Sequence, residues 1–480
     1  MKRVCKTTLS LIALAPSAAL AQAPDPDPTA LSIAAGYKAA FTCSATFNAG
    51  RTPEQIAGDE LNRIYPDYRD ALAALPAAKI VRQTRKFAGS NEGSSVYRTD
   101  NTRYVSVAYD DAMPPRIALW RPSLGCVQLP AGALLDDFKE ALTAPPGLEA
   151  PGEVTPLQKT AAAPPRLSSV VDKAFNRRSY GRGTETTAVI VVKDGAIIAE
   201  RYRDGFDETT PQRTWSVAKS IAATIIGAAV HDGLIDVGDD RLLEAWSAPG
   251  DPRARITLEN LLHMSSGLTS GAAGNRTDDV YFGGGRVIDH ALSNRLVAEP
   301  GARWRYANND KMAAMRALRE RIGAGAAYRR FPFERVLHPL GMTRTFPETD
   351  WNGDFVLSSQ VWTTARDLVR LGLLYLDDGV VDGRRILPEG WARYVTTPAP
   401  AQPARERGGR ARPGYGAQWW LYGARHELPD GTYAARGNRG QYLFIIPERN
   451  MLVVRRGFDD NGGAQFDVEQ FVRDVLAVTQ

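Results

Sequence analysis

The stretch "TTAVIVVKDGAIIAERY" holds two β-branched runs separated by Lys193-Asp194-Gly195, and "QYLFIIPERNMLVVRRG" repeats the pattern far downstream with a turn at Pro447 to Asn450. Both read as β-hairpins, because their connections carry residues suited to tight turns. An isolated two-stranded hairpin is marginal in water, so the two are expected to join in one antiparallel sheet. Between them lie mostly helices and loops, and a terminal helix, "DVEQFVRDVLAVT", follows. Strands at both extremities with helices between predict an α+β domain over residues 166–480, a central antiparallel sheet with helices packed on its faces.

Residues 22–140 predict an N-terminal α+β extension. In it "YKAAFTCSATF" and "RYVSVAY" read as strands. "TPEQIAGDELNRI" reads as a helix in which Thr52 caps, Pro53 takes the first position and Gln55 completes a capping box. A Pro/Ala-rich stretch then predicts a linker or extended strap over residues 141–165.

The opening residues, "MKRVCKTTLSLIALAPSAALAQAPDPDP", combine a basic start, a short apolar run and a cleavage signature at Ala19-Leu20-Ala21 before Gln22. Residues 1–21 are therefore expected to be a secretory signal peptide, with the mature chain periplasmic or secreted. No later segment approaches about 18 uninterrupted apolar residues, so no integral membrane segment is expected after signal removal. Cys5 leaves with the signal; Cys43 and Cys126 remain, to form a disulfide in an oxidising compartment or to persist as two buried thiols. The 59 Lys and Arg against 54 Asp and Glu leave a formal charge of +5 that is scattered along the chain. Nucleic-acid binding needs such charge concentrated, so no nucleic-acid partner is expected. "PARERGGRARPG", with Arg405, Arg407, Arg410 and Arg412, is the local exception, a solvated loop or an anion-attracting rim.

"TWSVAKSIAATIIGAAV" predicts a helix from near Val217 to about Asp232, apolar on nearly every side and stopped by Gly233. Ser216 falls at its N-terminus and Lys219 one turn later on the same face. A backbone N–H at a helix start can donate to a developing oxyanion, and a desolvated lysine can accept a proton or hold a neighbouring phenolate. Ser-x-x-Lys alone is a frequent chance pairing. Two further stretches give it company: "PGARWRYANND" carries Tyr306-Ala307-Asn308, and "ARGNRGQYLF" carries a strand entry with Gly437 and Gly440.

In this order the motifs resemble those of the serine β-lactamase and penicillin-binding-protein superfamily, in its class C-like branch. "ITLENLLHMSSGL", "HPLGMTRTF", "SSQVWTTARDLVRLGLLYLDDG", "RILPEGW" and "GYGAQWW" are similar to strings of that branch's 6-aminohexanoate-dimer hydrolases and related esterases. The resemblance spans roughly residues 166 to 480. It implies a β-lactamase/transpeptidase-like fold with a helical subdomain, Ser216 as nucleophile, Lys219 as its activating partner and Tyr306 as general base and later acid. In that scheme Tyr306 acts as a phenolate held by the Lys219 ammonium. Asn308 would position the substrate carbonyl or amide, and the backbone N–H groups of Ser216 and of Asn438, just after Gly437, would form an oxyanion hole, with Gly437 and Gly440 counted among the residues of that site. In "GNRTDDVYFGGGR", Asp278, Asp279 and Tyr281 are candidate substrate contacts or solvated loop residues.

One position departs from the pattern. β-Lactam-processing members carry a basic residue, then Thr or Ser, then Gly on the strand edging the site, whereas this chain has Ala435-Arg436-Gly437. Side chains alternate along a strand, so Arg436 should point away from the face that Ala435 occupies. The expected substrate is therefore a small-molecule carboxylic ester or linear amide. A β-lactamase or D-Ala-D-Ala peptidase-like enzyme, and a slowly deacylating sensor or binding module, stay open beside it. His231, His263, His290, His338 and His426 form no His-Glu-x-x-His arrangement, and there is neither a Gly-x-Ser-x-Gly elbow nor a phosphate-binding loop, so no metal or cofactor is expected. His263 reads as a residue that caps or packs a helix end. The oligomeric state is not set by these features.

Overall fold

The computed structural model describes residues 27–62, 68–91, 94–138, 145, 147–270, 281–407, 410–460, 463 and 465–479. The signal-peptide reading of residues 1–21 lies outside them. In the extension, strands β1 (Lys79–Asn91), β2 (Ser94–Val107), β3 (Arg116–Arg121) and β4 (Gly125–Gln128) form one antiparallel sheet in sequence order. A 20-residue helix, Pro28–Phe47, lies against it. That helix contains "YKAAFTCSATF", which was expected to be a strand. The alanines decide the matter: Ala34, Ala35 and Ala39, with Cys43, are small enough to let the helix axis approach Val105, Val107, Ala118 and Cys126 of the sheet. Pro at the first turn starts the helix without losing a bond. The expected strand "RYVSVAY" does enter β2, and Thr52 and Gln55 form the expected capping box, after which the backbone passes into a π-turn at Ile56–Glu60. A Cys43–Cys126 disulfide pins the helix to β4, with the two Cα atoms 6.2 Å apart.

The second sheet is built as the two hairpins require. Its strands are β5 (Gln158–Lys159), β6 (Thr186–Lys193), β7 (Ala196–Tyr202), β8 (Gly414–Tyr415), β9 (Trp420–Leu421), β10 (Tyr433–Gly437), β11 (Gln441–Ile446) and β12 (Met451–Gly457). They lie in the order β8-β9-β10-β11-β12-β6-β7-β5, so the junction of the two hairpins is the β12–β6 ladder. Asp194 and Gly195 both take positive φ, 50° and 80°, which matches the right-handed twist of the flanking strands. β5 belongs to the Pro/Ala-rich stretch and adds in parallel to β7, so this stretch straps the sheet edge.

Both faces of the sheet are covered, and its residues alternate accordingly. Ile190, Val192, Leu443, Ile445, Leu452 and Val454 face the larger core, which contains the helices Ala218–His231 and Ala365–Leu376. Val189, Val191, Phe444, Ile446 and Val453 face the helices Pro165–Phe175 and Val468–Val478. Ala218–His231 is the predicted all-round apolar helix: every residue from Ala218 to Ala229 is buried, and Gly233, at φ 71°, follows its C-cap Asp232. Among the described residues no helix is long and apolar enough to cross a membrane.

Candidate active site

Ser216 sits in a single 3-10 turn, Trp215–Val217, that leads into the helix Ala218–His231. This tightens the helix start that the sequence predicts and leaves Ser216 partly exposed while Lys219, one turn on, is only 1% exposed. The preceding Trp215 has φ 50°, a left-handed conformation that a bulky side chain adopts only under constraint. The constraint on the other side is β10. A Cβ added at Gly437 would stand 2.2 Å from the Thr214 carbonyl oxygen and 3.2 Å from the Ser216 nitrogen. Only glycine lets the strand backbone come this close to the turn. Asn438 follows directly, so the backbone at both proposed oxyanion-hole positions is brought together. Gly440, at φ 79°, packs against Arg455 and Asp459, a fully buried ion pair.

Lys219 has three polar partners. Its Nζ donates to Asn308 Oδ1 at 2.6 Å and to the Ser358 carbonyl at 2.8 Å, and lies 3.2 Å from Ser216 Oγ. The first two are obligate acceptors and take two N–H groups. The third direction faces a hydroxyl, which can receive a proton from an ammonium or give one to an amine. Burial drives the Lys219 pKa well below its ordinary value, and the nearby Lys311 lowers it further. Lys311 lies one turn beyond Asn308 in the helix Asn308–Ile322; it is fully buried, and burial brings it down to about 7. Burial and the neighbouring lysine thus both act against the ammonium form of Lys219.

Tyr306 completes the group. Its ring centroid is 4.9 Å from Lys219 Nζ, and the ring stacks on Trp420 at 5.6 Å and meets Tyr415 edge-on at 6.1 Å. Burial pushes the phenol above its ordinary range, and hydrogen bonding with Ser216 offsets part of this. Both directions act against the phenolate–ammonium pair that the resemblance implies.

Tyr281 is brought to the edge of this group, where its hydroxyl pairs with Ser358 Oγ. Ser358 thus touches Lys219 through its carbonyl and Tyr281 through its hydroxyl. Asp278 and Asp279 lie outside the described residues. Ala435 is fully buried in the larger core, and Arg436 faces the other side of β10, where it donates to the Tyr422 hydroxyl at 2.7 Å and lies over Trp420 and Tyr442. No bulge re-aims it. His263 caps the C-terminus of the helix Leu258–Leu262 and packs against Tyr394, as expected of a structural residue. Among the described residues no group of His, Cys, Asp or Glu side chains is placed to hold a metal ion.

Three participants escape sequence reasoning. Ser358 stands in a quoted string, yet nothing local says that its carbonyl turns to a lysine 139 residues earlier. Trp420 is legible only as part of "GYGAQWW". Lys311 had a signal, since its spacing of three from Asn308 places both on one helix face.

Comparison with known proteins gives the family. The family model described as Beta-lactamase matches residues 171–456. A 6-aminohexanoate-dimer hydrolase of Paenarthrobacter ureafaciens is 25% identical over 309 residues, covering 60% of this chain and 77% of its own. Among solved structures, a Bacillus anthracis protein assigned as a 6-aminohexanoate-dimer hydrolase has a TM-score of 0.53 at 22% identity, over 68% of this chain and 88% of its own. A penicillin-binding protein homologue from Caulobacter crescentus has a TM-score of 0.51 at 15% identity, over 66% and 97%. The two structural likenesses show a shared fold. With the family model covering more than half of its length, the chain belongs to the beta-lactamase family.

Proposed function

We propose that the protein is an exported serine hydrolase that cleaves a carboxylic ester or linear amide through an acyl-enzyme on Ser216. The observation that carries the reading is Lys219, held dry by two obligate acceptors with its remaining direction on Ser216 Oγ. As Ser216 Oγ attacks the substrate carbonyl carbon, its proton passes to Lys219, and the carbonyl oxygen gains negative charge before the N–H groups of Ser216 and Asn438. Tyr306 then relays a proton to the leaving alkoxide or amine as the C–O or C–N bond breaks. Water adds to the ester formed on Ser216 and gives up its proton to the same pair, which returns it to Ser216 Oγ as the Oγ–acyl bond breaks and the acid leaves.

The substrate class rests on β10. With Ala435 buried and Arg436 donating to the Tyr422 hydroxyl, the strand position that carries a basic residue in β-lactam-processing members holds none. The similarity to 6-aminohexanoate-dimer hydrolases supports a linear amide, and Asp278 and Asp279 are candidate contacts for a substrate amine. The disulfide and the N-terminal leader pattern support export. The test is a panel of p-nitrophenyl esters of graded acyl length, linear amides and nitrocefin, assayed on wild type and Ser216→Ala in parallel. Turnover of esters or amides that Ser216→Ala loses is the expected result. Full activity in Ser216→Ala overturns the mechanism; turnover of nitrocefin without ester cleavage overturns the substrate class. A persistent adduct by intact mass identifies a sensor instead.

A further inference from the structure

Both flanks of the proposed oxyanion hole hold a non-glycine residue in left-handed backbone. Trp215, at φ 50°, precedes Ser216, and Arg439, at φ 56°, follows Asn438. Such residues persist where the surroundings over-determine them. In each case the surroundings include the N-terminal extension. The Trp215 ring lies 5.9 Å from Phe41, and the Arg213 guanidinium covers both rings, at 4.0 Å from Trp215 and 4.4 Å from Phe41. Phe41 is in turn stacked on Tyr37 at 4.2 Å, and Tyr37 meets Phe282 edge-on at 4.7 Å; all are buried. On the other flank Arg439 is 2% exposed, and its Nη1 and Nη2 donate to the carbonyls of Asp59 at 2.8 Å and Asn62 at 3.2 Å. Its guanidinium also donates to the carbonyls of Phe458 and Asp459 and lies over the Phe458 ring at 5.0 Å.

We propose that the extension is a working part of the site: Phe41, through Trp215, and the Asp59–Asn62 backbone, through Arg439, position the two N–H groups of the oxyanion hole. This rests on Ser216 being the nucleophile. None of these residues touches substrate; they are positioning residues, and what they fix is the separation of two donors on segments far apart in the chain. A displacement of an ångström at such donors is enough to cost about a hundredfold in rate.

The test uses the full-length oxidised chain with Phe41→Ala, Phe41→Leu, Arg439→Ala and Arg439→Lys. A fluorophosphonate titrates the competent Ser216 sites, and ester turnover is then expressed per titrated site. The expected result for Phe41→Ala and Arg439→Ala is a kcat lower by about 10- to 100-fold per site with KM within about threefold, and a slower rate but full extent of fluorophosphonate labelling. Arg439→Lys recovers part of the loss. If Phe41→Ala gives no folded protein, Phe41→Leu and the Arg439 pair read the same quantity. A kcat per site within twofold of wild type in the Arg439→Ala and Phe41 variants overturns the proposal. Ser216→Ala, run alongside, separates this outcome from failure of the hydrolase reading, because only the latter leaves turnover without Ser216.

Discussion

Glu348 is the carboxylate on which the extension and the larger domain converge, and neutralising it should make the protein more stable at alkaline pH. It is 5% exposed, and its Oε1 accepts from Ser44 Oγ at 2.6 Å, from Asn48 Nδ2 at 3.2 Å and from the Cys126 backbone N–H at 3.0 Å. These bonds favour the anion, yet burial dominates and lifts the pKa from 4.5 to about 7. A carboxyl whose pKa is raised on folding binds its proton more tightly in the native state. Its contribution is therefore complete below about pH 4.5 and is lost as the pH rises toward 7. At about 1.4 kcal/mol per pH unit, the loss amounts to about 3 kcal/mol. Glu348→Gln keeps an acceptor oxygen and cannot ionise. Urea unfolding of the oxidised protein should show wild type and variant nearly equal at pH 4.5, with the variant ahead by about 3 kcal/mol at pH 8. The other buried carboxyls titrate alike in both proteins and cancel in the difference. Parallel stability curves from pH 4.5 to 8 would refute the reasoning, because Glu348 would then be ionised in the native state throughout.

Lys219→Met should lower the rate of acylation, measured as the burst with a p-nitrophenyl ester, by about 10²- to 10⁴-fold. Lys311→Met removes a buried cation that opposes protonation of Lys219, so the Lys219 pKa rises and the acidic limb of kcat/KM moves to higher pH; a limb that stays in place refutes the coupling. Gly437→Ala must push β10 away from the Thr214 carbonyl, and a fall in kcat of about a hundredfold with retained fold by circular dichroism is expected. The disulfide closes a separation of 83 residues, so Cys43→Ser with Cys126→Ser should cost about 4.5 kcal/mol in chemical denaturation on the chain-entropy account.

What could be read in the sequence follows the range of the forces involved. The two hairpins were legible because Asp194-Gly195 and Pro447 to Asn450 set their turns locally, and the helix after Ser216 because its apolar run and Gly233 do the same. Ser216, Lys219, Tyr306 and Asn308 were legible as an ordered set of motifs. The helix Pro28–Phe47 was misread where its Tyr, Phe and Thr residues resemble a strand; the sheet on which its alanines pack is formed by residues well downstream, and tertiary packing overrides local preference. Gly437 showed its purpose only once the Thr214 carbonyl lay beneath it. The same is true of Arg439, whose partners come from the other end of the chain, and of the proton balance at Lys219, which depends on a second buried lysine.

The ladder between β12 and β6 has a consequence for the order in which the protein becomes active. During synthesis Ser216 emerges long before Gly437, and the sheet that presents Gly437 cannot close until β12 has been made and has crossed back to β6. A nascent or unfolded chain thus carries the serine and the lysine without the second N–H donor for the oxyanion. Pairings of such long sequence separation form late in folding. Hydrolytic competence is accordingly withheld from every partial chain and appears only with the complete sheet.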